Sequence, residues 1–357
     1  MRDSEPLALL HRLVHIESPS NDTAASARLA ELLAVELESC GATVATEVTP
    51  AGTNLRAELA GEGAPVLLVG HLDTVWPVGT LAGEVPWRVD GDVVHGPGVF
   101  DMKSGIVVMV HALRALRGLP HRAVRIALVC DEEVGSPNSR DFVLRCAEGA
   151  SAAIGFESPH PDGALKIGRR GSCRLRLEVT GRASHAALDP EAGVSAIDEL
   201  IDQLLRVRAI TSDPGLSSPV LCNVGTVHGG GRANVIPDAA HAELGLRFAD
   251  AESEARVLDH LAALAPIRPG ATLRVTRLSQ RPTWQPSPGD EALARELGLA
   301  GRPAAGGGDT NFLGAAGIPT VDGLGPRGAG AHATTEHASL ASLNERIVQL
   351  QQFLQIR

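Results

Sequence analysis

The sequence predicts an α/β protein: a mostly parallel sheet flanked by helices, interrupted by an inserted domain of different style. Three observations carry this reading. Short continuous apolar runs alternate with helix-period segments through the first half of the chain. A block with one-sided strand alternation and two amphipathic helices follows, between residues 171 and 281. Helical patterns then return and run to the C-terminus.

The elements follow in order. "NDTAASARLAELLAVELESCG" has an Asn/Asp start, leucines at helical spacing and a closing Gly41, the marks of a capped helix. The runs "APVLLVGHLDTV" (64–75), "AVRIALVC" (123–130) and "AAIGFE" (152–157) alternate with the segments "MKSGIVVMVHALRALRG" (102–118) and "SRDFVLRCAEGA" (139–150). Apolar strands separated by helices imply a largely parallel sheet covered on both faces. From Gly171, "SCRLRLEVTG" alternates as a strand with one wet face, and "PEAGVSAIDELIDQLLRVRAI" is an amphipathic helix. "PVLCNVGTVHG" and "DAAHAELGLRF" are strands, "AESEARVLDHLAALA" a helix and "ATLRVTRL" a last strand. This βαββαβ order is the split βαβ, ferredoxin-like arrangement. The expected organisation is a first segment 1–170, an insert 171–281 and a returning segment 282–357, with "GIPTVDGLG" as a strand between the last helices.

Composition narrows the function. Apolar residues make up 44% and charged residues 21%, as in an ordinary folded enzyme. The net charge of −10 opposes binding to nucleic acid or an anionic membrane. In "MRDSEPLALLHRLVHIESPS", Asp3, Glu5, His11 and His15 break any apolar core of signal-peptide type, and no stretch approaches a membrane span. The five cysteines are odd in number, scattered and without a CxxC pair, which reads as reduced thiols in a cytoplasmic protein. The expected partner is a small molecule or peptide.

In open α/β sheets, ligands sit beyond the carboxyl ends of the strands, and there the chain places polar groups repeatedly. "LLVGHLD" ends in His71 and Asp73, two residues apart and so on one face. "HGPGVFDMKSG" delivers Asp101, "ALVCDEE" delivers Glu132 and Glu133, "AAIGFE" ends in Glu157, and "GLGPRGAGAHATTEH" presents His332. Adjacent carboxylates at an apolar strand end repel unless a cation lies between them. Two histidines and several carboxylates on one rim suit a pair of Zn²⁺-like ions. One of the two glutamates then holds metal while its neighbour serves as general base.

Taken together, "GHLDTV", "GPGVFDMKSG", "DEEVGS", a Glu ending the next strand, "GRASHA" and a late Gly-rich loop before a His resemble the co-catalytic zinc exopeptidases. That family includes glutamate carboxypeptidase (carboxypeptidase G), aminoacylase-1, acetylornithine deacetylase and succinyl-diaminopimelate desuccinylase. The motifs stand in family order from about residue 8 to the C-terminus. The resemblance implies two Zn²⁺ per subunit, with Co²⁺ or Mn²⁺ as substitutes. Asp101 would bridge the ions, His71 and Glu157 would complete one shell, and Glu133 and His332 the other. It makes Glu132 the general base and has Asp73 orient His71. It makes the insert a lid and dimerisation domain whose His185 serves the neighbouring subunit's site in a homodimer. Asn234, Arg247 and Arg281 match positions that bind substrate carboxylate or transition state, and Gly307 and Gly308 match the loop lining the pocket. The family's Gly-Gly-Ser/Thr-Asp loop reads Gly-Gly-Gly-Asp here, and Cys130 replaces a usual Thr or Asn. The implied activity is hydrolysis of the amide on the amino side of a free carboxylate, by a carboxypeptidase of the glutamate carboxypeptidase type. The alternatives are an N-acyl-amino-acid deacylase (aminoacylase, deacetylase or desuccinylase) and a catalytically silent metal-binding scaffold.

Overall fold

Successive side chains of a strand point to opposite faces, and the strand Glu62–His71 buries both. Val66 and Leu68 enter one core, Leu67 and Val69 the other. The strand Arg122–Val129 repeats the division, with Ile126 and Leu128 on one side and Ala127 and Val129 on the other. Each of these Val, Leu and Ile side chains taken fully out of water contributes about 1.5–3 kcal/mol. This double burial is why these strands read as unbroken apolar runs.

The structure is a computed structural model and describes residues 5–356. Asp3 and the outermost residues of the expected end segments lie outside the described residues. The chain divides into two compact units, one built from the residues up to Gly168 and from Pro286 onward, the other Arg169–Gln285. The second unit is a few residues wider at each end than the 171–281 insert expected from sequence.

In the first unit, a six-stranded sheet runs in the order Thr43–Thr49, Gly52–Leu59, Arg122–Val129, Glu62–His71, Ala152–Gly155, Thr320–Val321. Pairings from Arg122–Val129 onward are parallel, while the first two strands form an antiparallel hairpin at the edge. Helices Glu5–Val14, Thr23–Ser39, Ser104–Ala115 and Leu340–Leu354 supply the core on one face, and Arg140–Ala147 and Thr310–Ala315 flank the smaller core on the other. Helix Thr23–Ser39 is capped by Asp22, whose Oδ1 accepts from Ala25 N at 2.9 Å. The sequence reading did not assign the hairpin, nor a small sheet of Arg88–Asp90, Val93–His95, Gly328–Ala329 and His337–Ser339. These strands are short or alternate weakly, so periodicity carries little signal for them.

In the second unit, four antiparallel strands run in the order Leu221–Gly229, Ala239–Phe248, Gly171–Thr180, Thr272–Arg281. Cys173, Leu175, Leu177 and Val179 pack into one core with residues of helices Ala196–Thr211 and Ala251–Ala262, while Arg174, Arg176 and Glu178 line the other face of their strand. The fold is thus the α/β sheet with a βαββαβ unit that the sequence predicts. Among the described residues, no helix is long and apolar enough to cross a membrane.

One close approach fixes a helix against the strand end that leads to the site. A Cβ on Gly105, in helix Ser104–Ala115, would overlap the carbonyl oxygen of Phe156, next to Glu157. Gly105→Ala should therefore lower stability by about 1–3 kcal/mol, read as a lower urea midpoint at unchanged slope.

Candidate metal centre

Several loops of the first unit converge where its parallel strands end. The strand Glu62–His71 stops at His71, Arg122–Val129 runs into the turn Glu132–Val134, and Ala152–Gly155 ends two residues before Glu157. Asp101 comes from the tight turn Val99–Lys103 ahead of helix Ser104–Ala115. His332 comes from the loop before the strand His337–Ser339 and has a left-handed backbone with φ of 62°.

The side chains meet in two groups. His71 Nε2 lies 3.2 Å from Asp101 Oδ1 and 3.3 Å from Glu157 Oε1. His332 Nε2 lies 3.2 Å from Asp101 Oδ2 and 3.1 Å from Glu133 Oε2. The two oxygens of Asp101 therefore face different partners, each group holding an imidazole and a second carboxylate. Glu132 offers an oxygen within 4.8 Å of ligand-capable atoms of His71 and Glu157.

This arrangement is electrostatically incomplete without a cation. His71 Nδ1 sits 2.9 Å from the carbonyl oxygen of Asp73, which only accepts, so Nδ1 carries the proton. Burial opposes a second proton on the ring, but hydrogen bonds to Asp101, Asp73 and Glu157 raise its pKa well above the ordinary value, so without a cation Nε2 is protonated among carboxylate oxygens. Burial pushes the Glu133 carboxyl up to about 8, with the charge of Asp101 adding to it against the pull of His71. Burial and then Asp101 also raise Glu157. His332 is held up to about 9, first by its hydrogen bond to Asp101. Burial opposes ionisation of Asp101, but hydrogen bonds from His332 and His71 keep its carboxyl below the usual range. Glu133 Oε1 is buried and finds no hydrogen-bond partner among the described residues. A divalent cation relieves each of these conditions, and imidazole with carboxylate is a fitting donor set for one.

Three further acids hold the loops through backbone N–H groups. The sequence reading makes Asp73 the orienting group of His71. Its main-chain carbonyl makes the shorter contact, whereas its carboxylate stands 3.4 Å from the ring. That carboxylate accepts from Glu132 N and Glu133 N, each at 3.1 Å, and from Ser20 Oγ at 2.6 Å. Asp322 Oδ1 accepts from Glu157 N at 3.2 Å, and its Oδ2 accepts from Thr310 Oγ1 at 2.7 Å. Glu336 accepts from the backbone of the Asp101 loop. Sequence reasoning gave Ser20, Asp322 and Glu336 no role. An acid in a glycine-rich loop looks like surface, and what marks Asp322 and Glu336 is complete burial.

Of the remaining expected residues, Gly307 and Gly308 lie just before helix Thr310–Ala315, with Gly308 N donating to Asn311 Oδ1 at 2.9 Å. His185, Asn234, Arg247 and Arg281 belong to the second unit. There, His185 pairs with Val235, and Asn234 O accepts from Ala186 N at 3.0 Å. His185 Nδ1 accepts from the backbone of Ala187 and Leu188 at 3.2 and 3.1 Å, leaving Nε2 to carry the proton of the neutral ring. Arg247 and Arg281 stand opposite Ser172 from its two sides.

Comparison with known proteins gives the class to which this fold and site belong. Residues 67–356 match peptidase family M20/M25/M40, and the chain belongs to that family. Carboxypeptidase G2 of Pseudomonas sp. (strain RS-16) is 30% identical over 369 residues, spanning 97% of this chain and 88% of that protein. A succinyl-diaminopimelate desuccinylase of Gluconacetobacter diazotrophicus is 30% identical over 319 residues, 82% of each chain. The crystal structure of aminopeptidase PepT from Bacillus cereus shares the fold, with a TM-score of 0.73 at 20% identity over 98% of this chain and 97% of that one. The family is metal-dependent, and the protein is a hydrolase acting on peptide or N-acyl amide bonds.

The raised groups set a pH dependence for the metal-free protein. Glu133 and His332 both hold protons in the folded state that the unfolded chain releases near its ordinary values of 4.5 and 6.5. Their stabilisation is therefore complete below those values and is lost as pH rises through about 8 and 9. Metal-free protein should melt at progressively lower temperature between about pH 5 and 9, and a saturating divalent cation should flatten that slope. Thermal scans across that range, with and without added ion, check both statements.

Proposed function

We propose that the protein is a di-zinc carboxypeptidase of the glutamate carboxypeptidase type, cleaving the amide on the amino side of a free carboxylate. The observation that carries this reading is the division of Asp101, one oxygen toward His71 and Glu157 and the other toward His332 and Glu133. Those five residues would hold two Zn²⁺, or Co²⁺ or Mn²⁺ in their place. When bound, the ions acidify a water molecule and polarise the scissile carbonyl. Glu132 accepts the proton that the water loses as its oxygen joins the carbonyl carbon. It returns that proton to the nitrogen as the C–N bond breaks and the amine leaves. Asp73 keeps Glu132 and Glu133 in place through their backbone N–H groups.

The second unit supplies most of the remaining groups in this reading, and the first the glycines of the pocket loop. The Nε2–H of His185 donates to the carbonyl oxygen as it becomes anionic. Arg247, Arg281 and Asn234 bind the substrate carboxylate, and Gly307 and Gly308 line the pocket. The protein acts as a homodimer in which His185 serves the neighbouring subunit. Exposed apolar side chains support that assembly: Ile201 and Leu205 on one helix, and Leu221, Val224 and Val227 on the edge strand Leu221–Gly229. The five free cysteines fit a cytoplasmic location. A second reading, an N-acyl-amino-acid deacylase, is favoured by the similarity to the desuccinylase across 82% of both chains.

Zinc-loaded protein should release a free amino acid from dipeptides, graded by the C-terminal residue. Release from N-acetyl amino acids alone would move the assignment to the deacylases. Glu132→Gln should keep its metal and lose turnover by about 10²–10⁴-fold, and undiminished turnover would remove Glu132 from its role as base. Mixed dimers of His185→Ala and Glu132→Gln subunits should regain partial activity, because one of their two sites combines an intact Glu132 with an intact His185. A verified heterodimer without activity contradicts a site shared between subunits.

A further inference from the structure

Glu336 is fully buried and receives four N–H groups. Its Oε1 accepts from Phe100 N at 2.9 Å and Asp101 N at 3.1 Å. Its Oε2 accepts from Trp76 Nε1 at 2.6 Å and Gly98 N at 3.0 Å. The small sheet makes this meeting possible. His337 pairs with His95, so the residue before His337 comes alongside the loop that leaves Val93–His95 toward Asp101. Four residues upstream of Glu336 stands His332, half-exposed on a loop with left-handed backbone. One carboxylate thus fastens the segment carrying His332 to the loop carrying Asp101, and through Trp76 to the chain that follows His71 and Asp73.

We infer that Glu336 is a positioning residue of the metal centre, setting the Asp101 carboxylate and the His332 segment in a common frame so that both ion sites are formed in advance. This rests on the two-ion reading above. The side chain has to be a carboxylate, because both of its oxygens accept from two donors each. An amide offers one accepting oxygen, and its NH₂ would confront two N–H groups, leaving them unpaired in a buried place. Groups that hold metal ligands from behind, when changed, commonly weaken metal affinity by about 10–100-fold.

The test measures zinc affinity by chelator competition on full-length protein, together with the visible spectrum of the Co²⁺-loaded form and the melting temperature of the metal-free form. Glu336→Gln should lose affinity for at least one ion by about 10–100-fold, with an altered Co²⁺ spectrum and a folded metal-free protein. Glu336→Asp keeps the charge but is too short to reach both donor pairs, so it should fall between Gln and the parent. Either folded variant overturns the inference if it binds both ions within about threefold of the parent and keeps the parent's spectrum. Should Glu336→Gln fail to fold, Glu336→Asp decides in the same way. Failure of the parent protein itself to bind two ions would instead overturn the two-ion reading on which the inference stands.

Discussion

Negative charge gathered at the ends of parallel strands is the constraint on which the rest of the site depends. Asp101, Glu132, Glu133 and Glu157 crowd one rim, and Asp73, Asp322 and Glu336 lie behind them, buried. Unscreened carboxylates at such spacing would expel one another into solvent or take up protons. The acids behind are each held in place by the backbone N–H groups from which they accept. Of the acids in front, Glu133 has a buried Oε1 that finds no hydrogen-bond partner among the described residues, and in the proposed reading a metal answers its charge instead. The loops are thus held by acids facing the backbone, while in the proposed reading the ions would be held by acids facing outward from it.

The sheet and its helices serve that arrangement. Parallel strands bring the turns after His71, Val129 and Gly155 to the same edge, which no antiparallel hairpin would do. The antiparallel strands lie where they do no harm, at the far edge. Gly155 has a further part, since a Cβ there would overlap the Asp322 carboxylate that holds Glu157 N.

Much of this was legible in the sequence, for identifiable reasons. Doubly buried strands show themselves as unbroken apolar runs, and the second unit shows itself by strict alternation in "SCRLRLEVTG". His71, Glu133 and Glu157 stood out as charged or polar groups at strand ends, costly there without a purpose, and Asp101 and His332 as polar groups in glycine-rich loops beside them. Glu336 and Asp322 did not, since their effect comes from what they accept at long range, and sequence order gives no hint that residue 336 meets residue 100. Asp73 was half legible. Its place beside His71 could be read, but the hold of its side chain on residues sixty positions away could not.

The order of the pieces along the chain has a consequence for biosynthesis. His71, Asp101, Glu133 and Glu157 all precede the second unit, whereas Asp322, His332 and Glu336 follow it. A growing chain therefore exposes its acid-lined strand ends while the whole stretch Arg169–Gln285 is still being synthesised and folded. Only when the last turns leave the ribosome can the rim be closed and locked. A chain that stopped just short of residue 332 would lack His332 and Glu336, and with them the helix Leu340–Leu354, whose Leu343, Leu350, Phe353 and Leu354 lie in the main core. The site and the core that supports it are finished by the same last stretch of chain.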